Sequence, residues 1–151
     1  MAHEHFIDKR GDEYITPHLQ RHEIACNCGC GYGCNVKDFL KETAEIFELF
    51  RKAVSIELGK DTPIHVNRGC SCVKHHEHIY KILGLPPTKD SCHIPTEDRE
   101  YACAMDLDRP DGISISRCNE IMEDIVGNKG GVGKKYKTFI HFDARGHKAR
   151  W

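Results

Sequence analysis

The sequence predicts a single α+β domain in which helices pack on a small antiparallel sheet. Two segments repeat apolar residues at the spacing of amphipathic helices, a third is closed by Gly84 as helices often are, and short segments between them alternate polar and apolar residues as strands do. A chain of 151 residues with 39% hydrophobic residues is long enough to bury one core but too short for two comfortable domains. No internal repeat or low-complexity linker divides it.

The first predicted helix covers residues 35–59, "NVKDFLKETAEIFELFRKAVSIELG", because its apolar residues form one broad stripe. Asn35 is a favourable N-cap, and Gly59 is typical of the position just after a helix. A second helix is expected over 72–84, where the following "LPP" prevents continuation. Its histidines, "HHEHIY", are interpreted as a solvated helix surface rather than a metal cluster. A third helix is expected over 114–127.

Short strands are predicted between these helices, and the glycine-rich "GGVG" at 130–133 predicts a turn that leads into the last of them. Residues 1–16 are expected to form a flexible segment before a folded domain over 17–151, and the chain up to residue 34 is expected to be irregular. The predicted strands are "TPIHVN" (62–67), "YACAMDLD" (101–108) and "FIHFD" (139–143).

Charge and hydropathy patterning exclude several classes of protein. A formal net charge of −1 gives no overall electrostatic case for a nucleic-acid partner. No run approaches the roughly 18 apolar residues that a membrane helix needs. The polar start "MAHEHFIDKRGDEY" has no apolar signal core. We therefore expect a monomer made in the cytoplasm without a signal peptide, with no membrane or nucleic-acid partner.

Nine cysteines and eleven histidines are the unusual feature of the composition. An odd number of cysteines cannot all pair within one chain, and without a signal peptide reduced thiols or metal ligands are expected first. For the clustered cysteines three interpretations stay open: a structural zinc site, a disulfide from the first cluster to the second, or small buried thiols. The clusters are "CNCGCGYGC" (Cys26, Cys28, Cys30, Cys34) and "GCSC" (Cys70, Cys72).

Three residues on strand-like or loop segments form a candidate catalytic metal site: His93, Asp106 and His141. Two imidazoles and one carboxylate are a usual three-ligand set for catalytic zinc, with the fourth position left for water. With eleven histidines, such triples also arise often by spacing alone. His141 and Asp143 are two residues apart in a predicted strand, so they should project from the same face.

The order of the motifs resembles the zinc D-Ala-D-Ala carboxypeptidase family of peptidoglycan peptidases, in its phage-type and cell-wall endopeptidase branches. The upstream "HEIACNCGCGYG" and "PIHVNRGCSC" are also similar to segments of phage-type members. The resemblance extends over nearly all of the chain from about residue 17. Five motifs follow the family order: "SCH" (91–93), "ACAMD" (102–106), "GGVG" (130–133), "HFD" (141–143) and "ARW" (149–151).

The resemblance implies a hedgehog/D-Ala-D-Ala peptidase-like fold, with His93, Asp106 and His141 as ligands of a catalytic Zn²⁺. It also implies a zinc peptidase that hydrolyses peptidoglycan stem or cross-bridge peptides, as a D-Ala-type carboxypeptidase or endopeptidase. The absence of a signal sequence would fit a phage or prophage lysin that acts at the cell wall or periplasm once released. Arg68 and Ser91 are the implied substrate-binding residues.

The chain departs from the family pattern at three places. Thr138 stands where family members carry the acidic general base, so Asp143 is expected either to act as base or to orient a ligand histidine. The interval between His93 and Asp106 is longer than usual, which indicates an inserted loop. Its acidic residues Glu97, Asp98 and Glu100 are another possible source of a base. The family's substrate-binding arginine position is occupied by Ser71, with Arg68 three residues earlier.

These departures leave two other functions open. One is a non-catalytic zinc-binding protein on the same scaffold. The other is a cysteine-rich zinc module that binds a partner through "CNCGCGYGC".

Overall fold

Four α-helices and seven strands make up residues 13–151, the part of the chain that the computed structural model describes. As predicted, they form one α+β domain. In chain order the elements are β1 (Tyr14–Thr16), β2 (Leu19–Gln20), α1 (Arg21–Ile24), α2 (Lys41–Leu58), β3 (Val66–Arg68), α3 (Val73–Leu83), β4 (Ala104–Asp108), α4 (Ile115–Val126), β5 (Gly131–Gly133), β6 (Phe139–Asp143) and β7 (Ala149–Arg150).

The main sheet has five strands in the order β3-β4-β6-β5-β7. It is a mixed sheet, whereas the sequence predicted an antiparallel one. Strands β3, β4, β6 and β5 pair antiparallel, whereas β7 pairs parallel with β5. The parallel pair arises because the chain reverses after β6, and β5 already occupies the place beside β6. Strand β7 therefore adds to the far side of β5 and runs in the same direction.

The "GGVG" segment is wrongly predicted as a turn, because Gly131–Gly133 form strand β5. Its residues pair with β6, with Gly131 opposite Asp143 and Gly133 opposite His141. A Cβ atom on Gly131 would lie 2.6 Å from Asp143 Oδ2 and 2.9 Å from Trp151 Cζ3. Glycine is therefore needed here because two side chains pack directly against the strand backbone.

Helix α2 begins later than predicted. Asn35 precedes a short 3₁₀ turn, Val36–Asp38, and the chain then becomes extended at Phe39 before α2 starts at Lys41. The extended stretch forms a bridge to Ala102, whose backbone N–H donates to Asp38 O at 2.8 Å. This tertiary pairing interrupts the helix that the local pattern favours. The predicted end is confirmed, since Gly59 has a left-handed φ of 71°.

The segment before residue 34 is more regular than expected. Strands β1 and β2 form a separate antiparallel pair that leads directly into α1. Thr16 Oγ1 and the His18 backbone N–H both donate to Glu48 on α2, at 2.7 and 2.8 Å. Residues 14–16 therefore belong to the folded domain, and most of the predicted flexible segment 1–16 lies outside the described residues.

One face of the main sheet is apolar and covered by helices, and the other carries polar side chains. Helices α2 and α4 pack on an apolar face, where Met105 on β4 lies opposite Phe142 on β6. Because side chains alternate along a strand, the neighbouring residues of β4 and β6 project from the other face. That face carries Asp106 and His141, which also lie opposite each other. Within residues 13–151, no helix combines the length and apolar character that a membrane crossing requires.

Candidate metal centre

Asp106 and His141 are brought together by the pairing of β4 with β6. Directly opposed residues of an antiparallel pair place their side chains next to each other on one face. His141 Nδ1 lies 2.7 Å from Asp106 Oδ1, and both side chains are largely buried, with exposed fractions of 10% and 14%. The pairing of β4 with β6 therefore brings together two of the three predicted ligands.

His93 reaches the same place from the loop between α3 and β4. Its Nδ1 lies 2.7 Å from the backbone oxygen of Gly69, which can only accept, so Nδ1 carries the proton. The other ring nitrogen, Nε2, is left facing Asp106 Oδ2 at 3.3 Å. This nitrogen is buried and makes no hydrogen bond. An imidazole nitrogen that carries no proton and makes no hydrogen bond has a free lone pair for a metal, and the carboxylate beside it can bind the same ion.

Glycine at position 69 is required for this support of His93. A Cβ atom there would lie 2.7 Å from Ile24 Cβ and 2.9 Å from Ile24 O. The adjacent backbone also fixes the turn, since Cys70 N–H donates to Ile24 O at 2.7 Å and Ser71 N–H donates to His93 O at 2.8 Å. Helix α1 thus positions the carbonyl group that orients the imidazole.

The three predicted ligands have donor atoms that all lie within 4.8 Å of one another. Burial lowers the pKa of His93, which keeps that imidazole neutral. Burial opposes ionisation of Asp106 as well, but the two neighbouring histidines outweigh it and hold the carboxyl pKa well below its usual range. Two nitrogens and one carboxylate oxygen in this arrangement fit Zn²⁺.

Asp143 lies behind His141 rather than in the site. Its side chain is 0% exposed, and Oδ2 lies 3.6 Å from His141 Nε2. Arg145 holds both carboxylate oxygens, with Nε to Oδ1 at 2.8 Å and Nη2 to Oδ2 at 2.7 Å. The backbone N–H of Gly131 donates to Oδ1 as well, at 3.0 Å. These contacts suit a residue that orients the His141 ring.

The ligand set lies at the floor of an open cleft of about 430 Å³. Trp151 forms one wall, with its ring centroid 5.2 Å from that of His141. Tyr136 stands on the same side, 5.9 Å from His141 between ring centroids. Helix α3 contributes the opposite wall through Tyr80. The two predicted substrate-binding residues, Arg68 and Ser91, both line this cleft.

Arg68 is held in place by two contacts. Its Nε donates to Ser71 Oγ at 2.8 Å, and its Nη2 lies 2.9 Å from His76 Nδ1. His76 is buried, and its Nε2 lies 2.9 Å from the backbone oxygen of Thr88. The interpretation of "HHEHIY" as solvated surface is therefore wrong for His76. A single helical turn gives no signal that one of three histidines faces inward, so sequence reasoning missed this support for Arg68.

The long interval between His93 and Asp106 forms a closed loop. Thr96 and Arg99 pair across a tight turn, and Arg99 donates to the backbone oxygens of Ser91, Cys92, Ile94 and Tyr101. The insertion is therefore compact, and the ligands still converge. Among residues 13–151, the carboxylates lining the cleft are Asp90 and Asp106, so the acidic residues of the insertion (Glu97, Asp98, Glu100) are not among them.

Comparison with known proteins adds no relative. The chain matches no protein-family model, and neither a curated protein nor a solved structure is significantly similar to it.

Proposed function

We propose that this protein is a zinc-dependent peptidase that hydrolyses peptidoglycan stem or cross-bridge peptides, on a hedgehog/D-Ala-D-Ala peptidase-like fold. The observation that carries the proposal is the convergence of His93, Asp106 and His141 at the floor of an open cleft. The five motifs in family order, three of which contain these ligands, support the same conclusion.

The three ligands would hold Zn²⁺ through His93 Nε2, Asp106 and His141 Nδ1. When bound, the metal would supply a Lewis acid that polarises a peptide carbonyl and lowers the pKa of a water molecule, so that the water loses a proton and can attack that carbonyl. The chain's own contribution is orientation. Gly69 O fixes the tautomer of His93, and Asp143 faces the second nitrogen of His141. Such supporting groups set both ligand geometry and ligand basicity.

The cationic lining of the cleft suits a substrate with a free carboxylate. Arg68, Lys135 and Arg145 all line the cleft. Arg68 also contacts Ser71, the position that corresponds to the family's substrate-binding arginine. Its guanidinium could therefore take over that role, because a planar fork of donors matches a carboxylate well. Ser91 Oγ accepts a hydrogen bond from the backbone N–H of His93 at 3.2 Å. Ser91 therefore also helps to hold a metal ligand, in addition to the substrate contact proposed for it.

One observation favours the non-catalytic alternative on the same scaffold. Asp143 is buried and bound by Arg145, and Thr138 is exposed and has no acidic group. Within the described part of the chain, Asp90 is then the carboxylate that remains for a general base, because it is exposed and lines the cleft. A peptidase needs such a base, whereas a zinc-dependent binding protein does not.

Hydrolysis of synthetic stem peptides ending in D-Ala-D-Ala, and of cross-linked peptidoglycan fragments, tests the proposal. Zinc-loaded wild-type protein should release D-Ala or new amino groups, and His141→Ala should not. His65→Ala is the matched control, since His65 also pairs with an aspartate, Asp108, at 2.8 Å but on an exposed surface. Equal activity in both variants, or none in the wild type, would contradict the peptidase proposal. Binding without hydrolysis would favour the non-catalytic alternative.

The Asp90→Asn substitution further separates the peptidase from the non-catalytic zinc-binding protein. Loss of hydrolysis with retained zinc would identify Asp90 as the base.

As for partners and place of action, we propose that the substrate is a peptidoglycan peptide met at the cell wall after release, as in phage lysins.

A further inference from the structure

A second group of potential metal ligands lies away from the cleft, where the loop after α1 meets the start of α3. Four cysteine sulfurs from these two segments lie within 4.8 Å of one another. Cys26 Sγ is 3.4 Å from Cys28 Sγ, and Cys28 Sγ is 3.8 Å from Cys72 Sγ. Cys30 completes the group. None of these residues takes part in the proposed peptidase site.

These sulfurs are spaced as the ligands of one tetrahedral ion. A zinc ion bonded to four thiolates at about 2.3 Å separates neighbouring sulfurs by about 3.8 Å. The measured separations of 3.4 and 3.8 Å lie close to that value. We infer that Cys26, Cys28, Cys30 and Cys72 form a second, structural metal site that binds Zn²⁺ through four thiolates.

The one-residue spacing of the first three cysteines is tighter than in most closed zinc sites. The structure resolves this with glycines between and after them. Gly29 and Gly31 have φ values of 79° and 94°, in the left-handed region that glycine adopts without strain. The chain therefore coils tightly enough for Cys28 and Cys30 to turn their sulfurs toward a common point.

Backbone N–H groups are directed at three of the sulfurs. Cys72 N–H donates to Cys26 Sγ at 3.3 Å, His75 N–H donates to Cys72 Sγ at 3.3 Å, and Tyr32 N–H donates to Cys30 Sγ at 3.4 Å. Cys72 is also the N-cap of the eleven-residue helix α3, where the helix dipole favours negative charge. Such donors stabilise thiolates, the form in which cysteine binds a metal.

The neighbouring Cys70 lies outside the group and has another contact, which argues against a general cluster of buried thiols. Cys70, two residues before Cys72, directs its Sγ to Asp38 O at 3.7 Å. A disulfide would join only two of the four sulfurs and leave the other pair packed together. Cys28 is partly exposed while the other three are buried, which gives an ion a path to the site.

The site would join the N-terminal part of the domain to the turn that supports His93. Cys72 ends the turn that begins at Arg68, and this turn contains Gly69, whose oxygen accepts a hydrogen bond from His93 Nδ1. An ion bound to Cys72 and the 26–30 loop would hold this turn against α1. The inference is independent of the proposed peptidase activity, because none of the four cysteines lines the cleft.

Cobalt substitution in the His93→Ala variant tests the inference, since this background removes the other predicted site. The protein is purified under reducing conditions, stripped with a chelator and titrated with Co²⁺. We expect one equivalent to bind with the intense thiolate-to-cobalt charge-transfer bands of four-sulfur coordination. Adding Cys28→Ser should reduce these bands by at least about a quarter and weaken zinc binding at least about tenfold. Cys118→Ser, which changes a buried cysteine on α4, should leave both unchanged.

Two results would overturn the inference. One is the absence of thiolate bands in His93→Ala, and the other is equal cobalt binding with and without Cys28→Ser. Thiol alkylation of the wild-type protein checks the same point without any substitution. Zinc should protect four of the nine cysteines, whereas equal labelling with and without zinc, or a mass showing a disulfide among the four, would contradict a metal site.

Discussion

Replacing Asp143 by asparagine separates the two roles that this residue could have. The substitution keeps the shape of the side chain but removes the charge that faces His141 and pairs with Arg145. If Asp143 orients the His141 ring, zinc should bind more weakly and the protein should be less stable. If Asp143 were the general base, zinc binding should be unchanged and hydrolysis should be lost.

The size of the stability effect follows from the contacts of the carboxylate. Breaking a fully buried ion pair by removing one partner costs about 3–5 kcal/mol. The Arg145 side chain is 28% exposed, so solvent offsets part of that cost. The asparagine oxygen can still accept one of the former hydrogen bonds. We therefore expect the free energy of unfolding to fall by about 1–3 kcal/mol.

The effect on zinc is expected to be moderate. Loss of a group that supports a metal-binding histidine weakens metal affinity about 10–100-fold, which corresponds to about 1.4–2.7 kcal/mol. Competition with a chromophoric chelator measures this change, and urea unfolding of the metal-free protein measures stability. Asp108→Asn is the control, because Asp108 lies on the neighbouring strand β4 but is half exposed and outside the cleft.

The account of Asp143 would be refuted by zinc affinity within about twofold of wild type. A fall in kcat of about 10²-fold or more with unchanged zinc affinity would instead assign the base to Asp143.

Three further changes test other parts of the structure. Gly69→Ala should displace the turn, because its Cβ would overlap Ile24; we expect weaker zinc binding and a destabilisation of about 1–3 kcal/mol by calorimetry. Arg99→Ala should loosen the 95–100 turn, lower stability by about 1–3 kcal/mol and increase cleavage of that turn in limited proteolysis; unchanged proteolysis would show that Arg99 does not close it. Glu48 is partly buried, which raises its pKa, but hydrogen bonds from Thr16 and His18 outweigh this and lower it. Its contribution to stability should therefore be complete above the ordinary pKa of 4.5 and disappear as pH falls through the lower folded value, and Glu48→Gln should remove this pH dependence of urea unfolding.

The sequence is sufficient to predict the parts of the site that depend on local pattern. Alternation along β6 places His141 and Asp143 on one face, and in the structure His141 Nε2 lies 3.6 Å from Asp143 Oδ2. The third helix follows from its apolar side, and the second from the Gly84 and "LPP" that end it; both have bounds within two residues of those predicted. These features depend on periodicity, which a sequence displays directly.

The remaining features depend on contacts between distant parts of the chain. Strand β5 is three residues long and mostly glycine, so only its pairing with β6 makes it a strand. The support of His93 by Gly69 O joins residues 24 positions apart. The inward orientation of His76 likewise depends on Arg68 and Thr88, which local spacing does not reveal.

The zinc content of purified wild-type, His93→Ala and His141→Ala proteins tests the central claim most directly. Each variant should hold one zinc fewer per chain than the wild type, because each lacks one of the three ligands at the floor of the cleft. Circular dichroism of the same samples checks that both variants are folded. Zinc content equal to that of the wild type in folded variants would contradict the metal centre, and with it the proposed peptidase.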